Sequence, residues 1–196
     1  PEVRHITQEA AQAFEELGAS VEEAEVDLDH GHVREVFTTI WFSDYTASYG
    51  ELVATRGDEL TPSLREMVEP ALSWPVSKLA FALRELEWHR ARMDAIVRRY
   101  DLLLTPTLAT AAFPIGERPN MIDGQAVDAV WGFTPLTFTF NISGHTAASV
   151  PCGFTSEGLP IGLHIIGRKG DEATVLRASV ALERARPWAD RRPAVS

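Results

Sequence analysis

At 196 residues the chain fits one domain or a large piece of a bigger one, and its 45% apolar content provides for a real core. A formal charge of −10 leaves no basic footprint, so neither nucleic acid nor an anionic membrane is expected as a partner. The single cysteine, Cys152, excludes an internal disulfide framework and any multi-cysteine metal site, and it suits a reducing, cytoplasmic setting. Only Lys78 and Lys169 could carry lysine chemistry. No apolar run reaches the roughly 18 residues that a membrane span needs. The chain opens on Pro1-Glu2-Val3 without a methionine or signal peptide, which reads as an internal start.

Val3, Ile6, Ala10, Ala13, Phe14 and Leu17 recur at helical spacing and stop at Gly18, a residue suited to a helix C-terminus. Ala24, Val26 and Leu28 then alternate with Glu23, Glu25 and Asp27, which predicts a short half-buried strand or sheet edge. A second helix is expected to begin near His30 and to turn Val33, Val36, Phe37, Ile40 and Trp41 inward. Gly57, Pro62, Pro70 and Pro75 break residues 55–75 into short pieces with room for one short helix. The longest helical pattern follows, with Val76, Leu79, Ala80, Leu83, Leu86, Met93, Ile96 and Val97 as its apolar positions. Ser73 and Pro75 stand where start signals belong. It runs into Tyr100-Asp-Leu-Leu-Leu-Thr-Pro106, an unbroken apolar run that predicts a strand covered on both faces. A helix feeding such a strand indicates α/β architecture.

Regular patterns stop over residues 106–140. A stretch of that length inside a compact domain is functional or disordered. Trp131, Phe133, Phe138 and Phe140 favour an ordered loop beside a pocket over one that merely covers the core. Two strands are then expected at 147–154 and 159–167, joined by the hairpin signal Thr155-Ser-Glu-Gly158. Leu159, Ile161, Leu163 and Ile165 line one face of the second, while Gly162 and Gly167 leave room for a close approach. A last helix starts near Asp171-Glu172 and stops before Pro187, leaving a frayed tail over 188–196.

Several groups of residues invite a chemical reading. Asp29-His30-Gly-His32 has the look of a metal cluster, but a solvated helix start explains it better. Ser143-Gly144-His145 sets a hydroxyl near a base, yet neighbours in sequence rarely have catalytic geometry and no G-x-S-x-G elbow is present. Cys152 reads as a small buried hydrophobe rather than a thiolate. Ser73 and Ser77 near Lys78 do not match S-x-x-K. His89 and His164 lie inside regular elements and read as structural, and Glu85 and Glu87 belong to a charged helix face.

The stretch from Asn141 carries a resemblance. It reads Asn141-Ile-Ser-Gly144-His-Thr-Ala-Ala-Ser149-Val-Pro151-Cys-Gly153, then Gly158-Leu-Pro160-Ile-Gly162-Leu-His-Ile-Ile-Gly167. In order and spacing this resembles the C-terminal signature of the amidase signature family. There an A-x-S-x-P-x-G strand is followed by a G-L-P-x-G-x-x-x-x-G hairpin strand. Asp101-Leu-Leu-Leu-Thr-Pro-Thr107 resembles the family's buried strand before the long loop, and Trp188 and Arg191-Arg192-Pro193 fit its ending. The likeness is strong over 101–193 and weaker over 1–100. Members often carry Gln-Pro where His145-Thr146 stands here, and a glutamine in place of His164.

The resemblance implies a mixed β-sheet flanked by helices on both faces, with residues 1–196 forming the C-terminal portion of one domain and 106–140 a long substrate-side loop. It implies a serine nucleophile, a second serine in a cis peptide and a lysine base, acting through an acyl-enzyme. Those groups belong to a Gly/Ser-rich segment and a lysine-bearing strand upstream of the matched region. No Gly-Gly-Ser or Ser-Ser-Gly occurs here, so no catalytic residue is carried over. What is carried over is a substrate wall of Trp131, Phe133, Thr134, Phe138 and Asn141, whose aromatic rings suit apolar acyl groups. Asn141 could bind substrate or fix the loop backbone, the latter being favoured.

The family mechanism needs no metal or organic cofactor. The expected partners are a small-molecule amide, the remaining N-terminal part of the same protein, and further copies of the chain through exposed sheet edges and faces. Two other readings stay open: an amidotransferase A-type subunit that supplies ammonia to a partner, and a catalytically inactive stand-alone binding module.

Overall fold

The hairpin that the glycines and alternating apolar residues predict forms the centre of the fold. The computed structural model describes residues 1–28 and 32–192. Its elements, in chain order, are α1 (Glu2–Glu16), α2 (Val33–Arg56), α3 (Pro62–Val68), α4 (Val76–Val97), β1 (Leu103–Pro106), β2 (Met121–Ile122), β3 (Gln125–Ala126), α5 (Thr137–Ser143), β4 (Ala147–Phe154), β5 (Pro160–Ile166) and α6 (Glu172–Ala185). They divide into two compact units. One comprises Pro1–Leu28 and the chain from Met93 onward; the other is the chain between, up to Arg92.

In the first unit the strand order is β1-β5-β4, with both ladders antiparallel. The β4–β5 turn closes through Gly158 at φ +83°, where Thr155 N–H donates to Leu159 O at 2.8 Å. Because strand side chains alternate, Val150, Ile161, Leu163 and Ile165 all point to one face. There they pack with Ile6, Ala10 and Phe14 of α1 and Val175, Ala178 and Leu182 of α6. Gly153 sits beside a register irregularity at Cys152, and an added Cβ there would lie 2.6 Å from Ile6, so glycine lets α1 reach the sheet. Asp171 caps α6 by accepting from Thr174 N–H at 3.3 Å and from its hydroxyl at 2.7 Å.

The opposite face holds a smaller cluster: Leu28, Met93, Val97, Leu103, Phe140 and Ile166. The end of α4 and α5 therefore cover this face, and helices flank the sheet on both sides, as expected. The fold class is α/β.

In the second unit, the prolines and Gly57 cut the chain as predicted. 3-10 turns at Gly57–Glu59 and Glu69–Ser73 flank α3, and Thr61 and Trp74 are extended just before Pro62 and Pro75. Trp74 stacks on Phe42 at 6.1 Å and carries Lys78 Nζ over its own ring at 3.7 Å.

Four expectations need correction. Residues 23–28 join neither sheet. Their alternation survives as burial, with Leu28 inside and Glu25 and Asp27 exposed, because a period of two records an extended chain against a core and not a strand partner. The run before Pro106 is covered on both sides only at Leu102–Leu104, and β1 is an edge of the sheet, a position that tolerates Pro106. In α4 the buried stripe is Ala82, Leu86, His89, Met93 and Val97, while Val76, Ala80 and Leu83 face solvent. A histidine occupies one place in the stripe, which hid its direction. The tail is anchored at least to Arg191: Trp188 packs against the main core and the Arg191 guanidinium lies 4.2 Å from the Phe154 ring centre. No described helix is long and apolar enough to cross a membrane.

Candidate functional site

On the helix-poor part of the second sheet face, the side chains change from apolar to polar. Beyond Leu103 and Ile166, the register aligns Thr105 with His164 and His164 with Ser149. One step further Gly162 has no side chain, and the hydroxyls of Thr107 and Ser149 meet over it at 2.7 Å. A Cβ at Gly162 would lie 2.7 Å from Ser149 Oγ and 2.8 Å from Thr107 Oγ1. The two hydroxyls can therefore pair only because one methyl is absent. Gly162→Ala is expected to break this pair and cost about 1–3 kcal/mol in urea unfolding. Ser149→Ala, which removes an obstructing oxygen, is expected to restore part of that stability in the double variant. Equal stability of Gly162→Ala and the parent chain would contradict the packing.

The predicted wall stands at the same end of the sheet. Thr107 N–H extends the ladder to Gly162 O at 2.9 Å, and Ala109 N–H reaches Phe133 O at 3.0 Å. The chain at 131–134 therefore runs beside the exit of β1, where the Phe133 and Phe113 rings meet edge to face at 5.1 Å. Asp128 sets its turn by accepting from Val130 N–H and Trp131 N–H at 2.9 and 2.8 Å. Thr134 closes it with its hydroxyl on Trp131 O at 3.1 Å. Trp131, Phe133 and Thr134 are half-buried and lie together. Phe138 is buried within α5 and Asn141 is exposed on it. Among the described residues no hydrogen bond fixes the Asn141 side chain to the backbone, which leaves its amide open to solvent.

The 106–140 stretch is more regular than its sequence suggests. It contains the β2–β3 hairpin, turned through Asp123 and Gly124 at φ 51° and 73°, and it runs into α5. Asp-Gly is the signature of that turn.

Other candidates resolve clearly. Burial pushes the Cys152 thiol up to about 11, so it is an inert core residue. Burial likewise pushes His164 down to about 4. Its Nδ1 lies 3.5 Å from Thr105 Oγ1, and its ring meets Phe140 edge-on at 5.5 Å. Asp29, His30 and Gly31 of the metal-like cluster lie outside the described residues; His32 is an exposed residue 3.9 Å from Glu35. No group of potential metal ligands occurs among the described residues.

Ser143 and His145 do meet, with Ser143 Oγ 2.8 Å from His145 Nδ1, and His145 Nε2 lies 3.3 Å from Asp94 Oδ1. This is not a catalytic triad. Ser143 is 1% exposed, so no substrate reaches it. The ring is also reversed, since a triad histidine offers Nε2 to its serine and Nδ1 to its carboxylate. Lys169 Nζ lies 3.0 Å from the same Asp94 oxygen. Burial first, then the Lys169 charge, hold His145 below its ordinary pKa, against the opposing pull of Asp94.

Comparison with known proteins agrees with this fold. The model of the family described as Amidase matches residues 1–176. An acylamidase from Rhodococcus erythropolis is 32% identical over 200 residues, covering 100% of this chain and 41% of that protein. The A-type subunit of a glutamyl-tRNA(Gln) amidotransferase from Chloroflexus aggregans is 45% identical over 100 residues, covering 51% of this chain and 19% of that protein. Among solved structures, a bacterial aryl acylamidase of the amidase signature family matches with a TM-score of 0.82 and 29% identity over 98% of this chain and 43% of its own. A 6-aminohexanoate cyclic dimer hydrolase matches with a TM-score of 0.82 and 28% identity over 99% and 43%. The chain belongs to the amidase family, whose chemistry is amide hydrolysis. Its whole length corresponds to about two fifths of the acylamidase.

Proposed function

We propose that this chain forms the substrate-binding side of an amidase that hydrolyses a carboxylic amide to the acid and ammonia or an amine. The catalytic serine, cis-serine and lysine come from residues outside this chain. In that reaction the seryl oxygen attacks the amide carbonyl, the C–N bond breaks as the nitrogen takes a proton, and water then releases the acid from the acyl-enzyme. The observation that carries this reading is that this chain matches part of an acylamidase over its own whole length, while its candidate nucleophiles Cys152, Ser143 and Ser149 are not placed for attack. Cys152 and Ser143 are both buried, and the Ser149 hydroxyl pairs with the Thr107 hydroxyl rather than with a base.

Trp131, Phe133 and Thr134, with Phe138 and Asn141 on the adjoining helix, form the wall that receives the acyl or aryl part of the substrate. In the complete enzyme Trp131→Ala is expected to raise KM for a short-chain acyl nitroanilide about tenfold with kcat nearly unchanged, since a wall binds ground and transition states alike. A fall in kcat at constant KM would place Trp131 in the chemical step and overturn its assignment to the wall.

The likeness to an amidotransferase subunit over half the chain supports a second reading, in which the ammonia passes to a partner protein. A stable complex with a second protein on copurification, together with poor free hydrolysis of simple amides, would favour it.

A further inference from the structure

A seven-residue helix has no stability of its own, because an isolated helix needs about 12–15 residues to be even marginal in water. The place of α5, and with it Phe138, Asn141 and the 131–136 turn that leads into it, is therefore set by attachments. Two are ordinary. The Phe140 ring is buried in the second core cluster, and the Thr139 hydroxyl donates to Leu28 O at 3.1 Å. The third is at the C-terminal end. There Gly144, at φ +77°, returns its N–H to Phe140 O at 3.1 Å and turns the chain so that His145 enters the interior, 8% exposed.

His145 is wired in one direction. A carboxylate only accepts, so the nitrogen facing Asp94 carries the hydrogen, and the one Ser143 hydroxyl hydrogen is shared between His145 Nδ1 at 2.8 Å and Phe140 O at 3.2 Å. Asp94 lies in the last turn of α4, and Lys169 approaches the same carboxylate oxygen from the turn between β5 and α6. One oxygen thus joins α4, the end of α5 and the entry to α6. A glutamine amide offers the same pair of one acceptor and an N–H donor, but on a flexible stem.

The geometry points to His145 as a positioning residue that ties the end of α5 to Asp94 and so sets where the substrate wall stands. This rests on the assignment of residues 131–141 to that wall. His145 makes no contact with substrate. It acts through its place between Ser143 and Asp94, 2.8 Å from the Ser143 hydroxyl and 3.3 Å from the Asp94 carboxylate, which fastens the chain just after α5 to the last turn of α4.

The test has two readouts. In the chain itself, the backbone amide NMR signals of residues 137–144 report the place of α5. In the complete enzyme, KM and kcat for a short-chain acyl nitroanilide report the wall. His145→Leu is expected to move the α5 signals and raise KM about tenfold with kcat little changed, and His145→Gln to return both most of the way. Should His145→Leu not fold, Asp94→Asn, which keeps the size and weakens the acceptor, is expected to move the same signals in the same direction. If the α5 signals stay in place in these variants, the positioning role is wrong whatever happens to KM. If they move and KM does not, the positioning role stands and the wall assignment fails.

Discussion

Replacing Phe140 with alanine is expected to destabilise the chain by about 3–5 kcal/mol, the largest effect of any single side chain on the helix that carries Phe138 and Asn141. Phe140 is 2% exposed and packs among Leu28, Met93, Val97, Leu103 and Ile166, in the cluster that joins α5 to the polar side of the sheet. Truncation removes the transfer free energy of the ring and leaves a cavity that β1 and β5, pinned by their ladder, cannot close. His164 meets the edge of the same ring, so the cavity also lets water toward a buried imidazole. Phe140→Leu keeps much of the volume and is expected to cost less than half as much. Urea unfolding followed by tryptophan fluorescence gives both values. A loss below about 1 kcal/mol for Phe140→Ala would show that the cluster is not closed.

Stability should fall steeply between pH 6.5 and 4 because of His164. Burial holds its folded pKa near 4, against about 6.5 in an unfolded chain. Above pH 6.5 the ring is neutral in both states and contributes no slope. Below it the unfolded chain takes up a proton that the folded chain refuses, so stability drops as the pH falls through this window. The loss is about 2 kcal/mol at pH 5 and approaches about 3 kcal/mol once the folded form also protonates. His145, depressed by burial and Lys169, adds to the loss in the same direction below pH 6.5. His164→Gln places a neutral amide at that position and is expected to flatten the profile between pH 7 and 5. An unchanged slope in that variant would assign the acid sensitivity to other groups.

Much of this fold is legible in the sequence where a local signal and the core agree. β4 and β5 stand within one residue of the predicted bounds, because alternating apolar residues, a turn glycine and a buried face all impose the same register. α1 and α6 are equally plain from Gly18 and from Asp171 with Glu172. The β2–β3 hairpin was also signalled, by Asp123-Gly124, but its strands are too short to show alternation. α5 gave no such signal. Threonine and phenylalanine are weak helix formers and seven residues hold only two turns, so tertiary contacts decide its conformation. The site was legible as a segment and not as an arrangement. Trp131, Phe133 and Thr134 lie together by sequence proximity, whereas the Thr107–Ser149 pair and the meeting of Asp94, His145 and Lys169 depend on which strands and turns become neighbours. Ser143-Gly144-His145 shows the limit of motif reading from both sides. Its two side chains do touch, and burial with a reversed ring makes the contact structural.

The central claim is that this chain holds the substrate side of an amidase and takes its catalytic serine and lysine from elsewhere. The most direct measurement is release of nitroaniline from a short-chain acyl nitroanilide by the purified chain alone, and by the same chain within the complete enzyme. The account predicts no turnover above background by the chain alone and turnover by the complete enzyme. Hydrolysis by the chain alone, lost on Ser149→Ala or Cys152→Ala, would contradict it and place the nucleophile among these 196 residues.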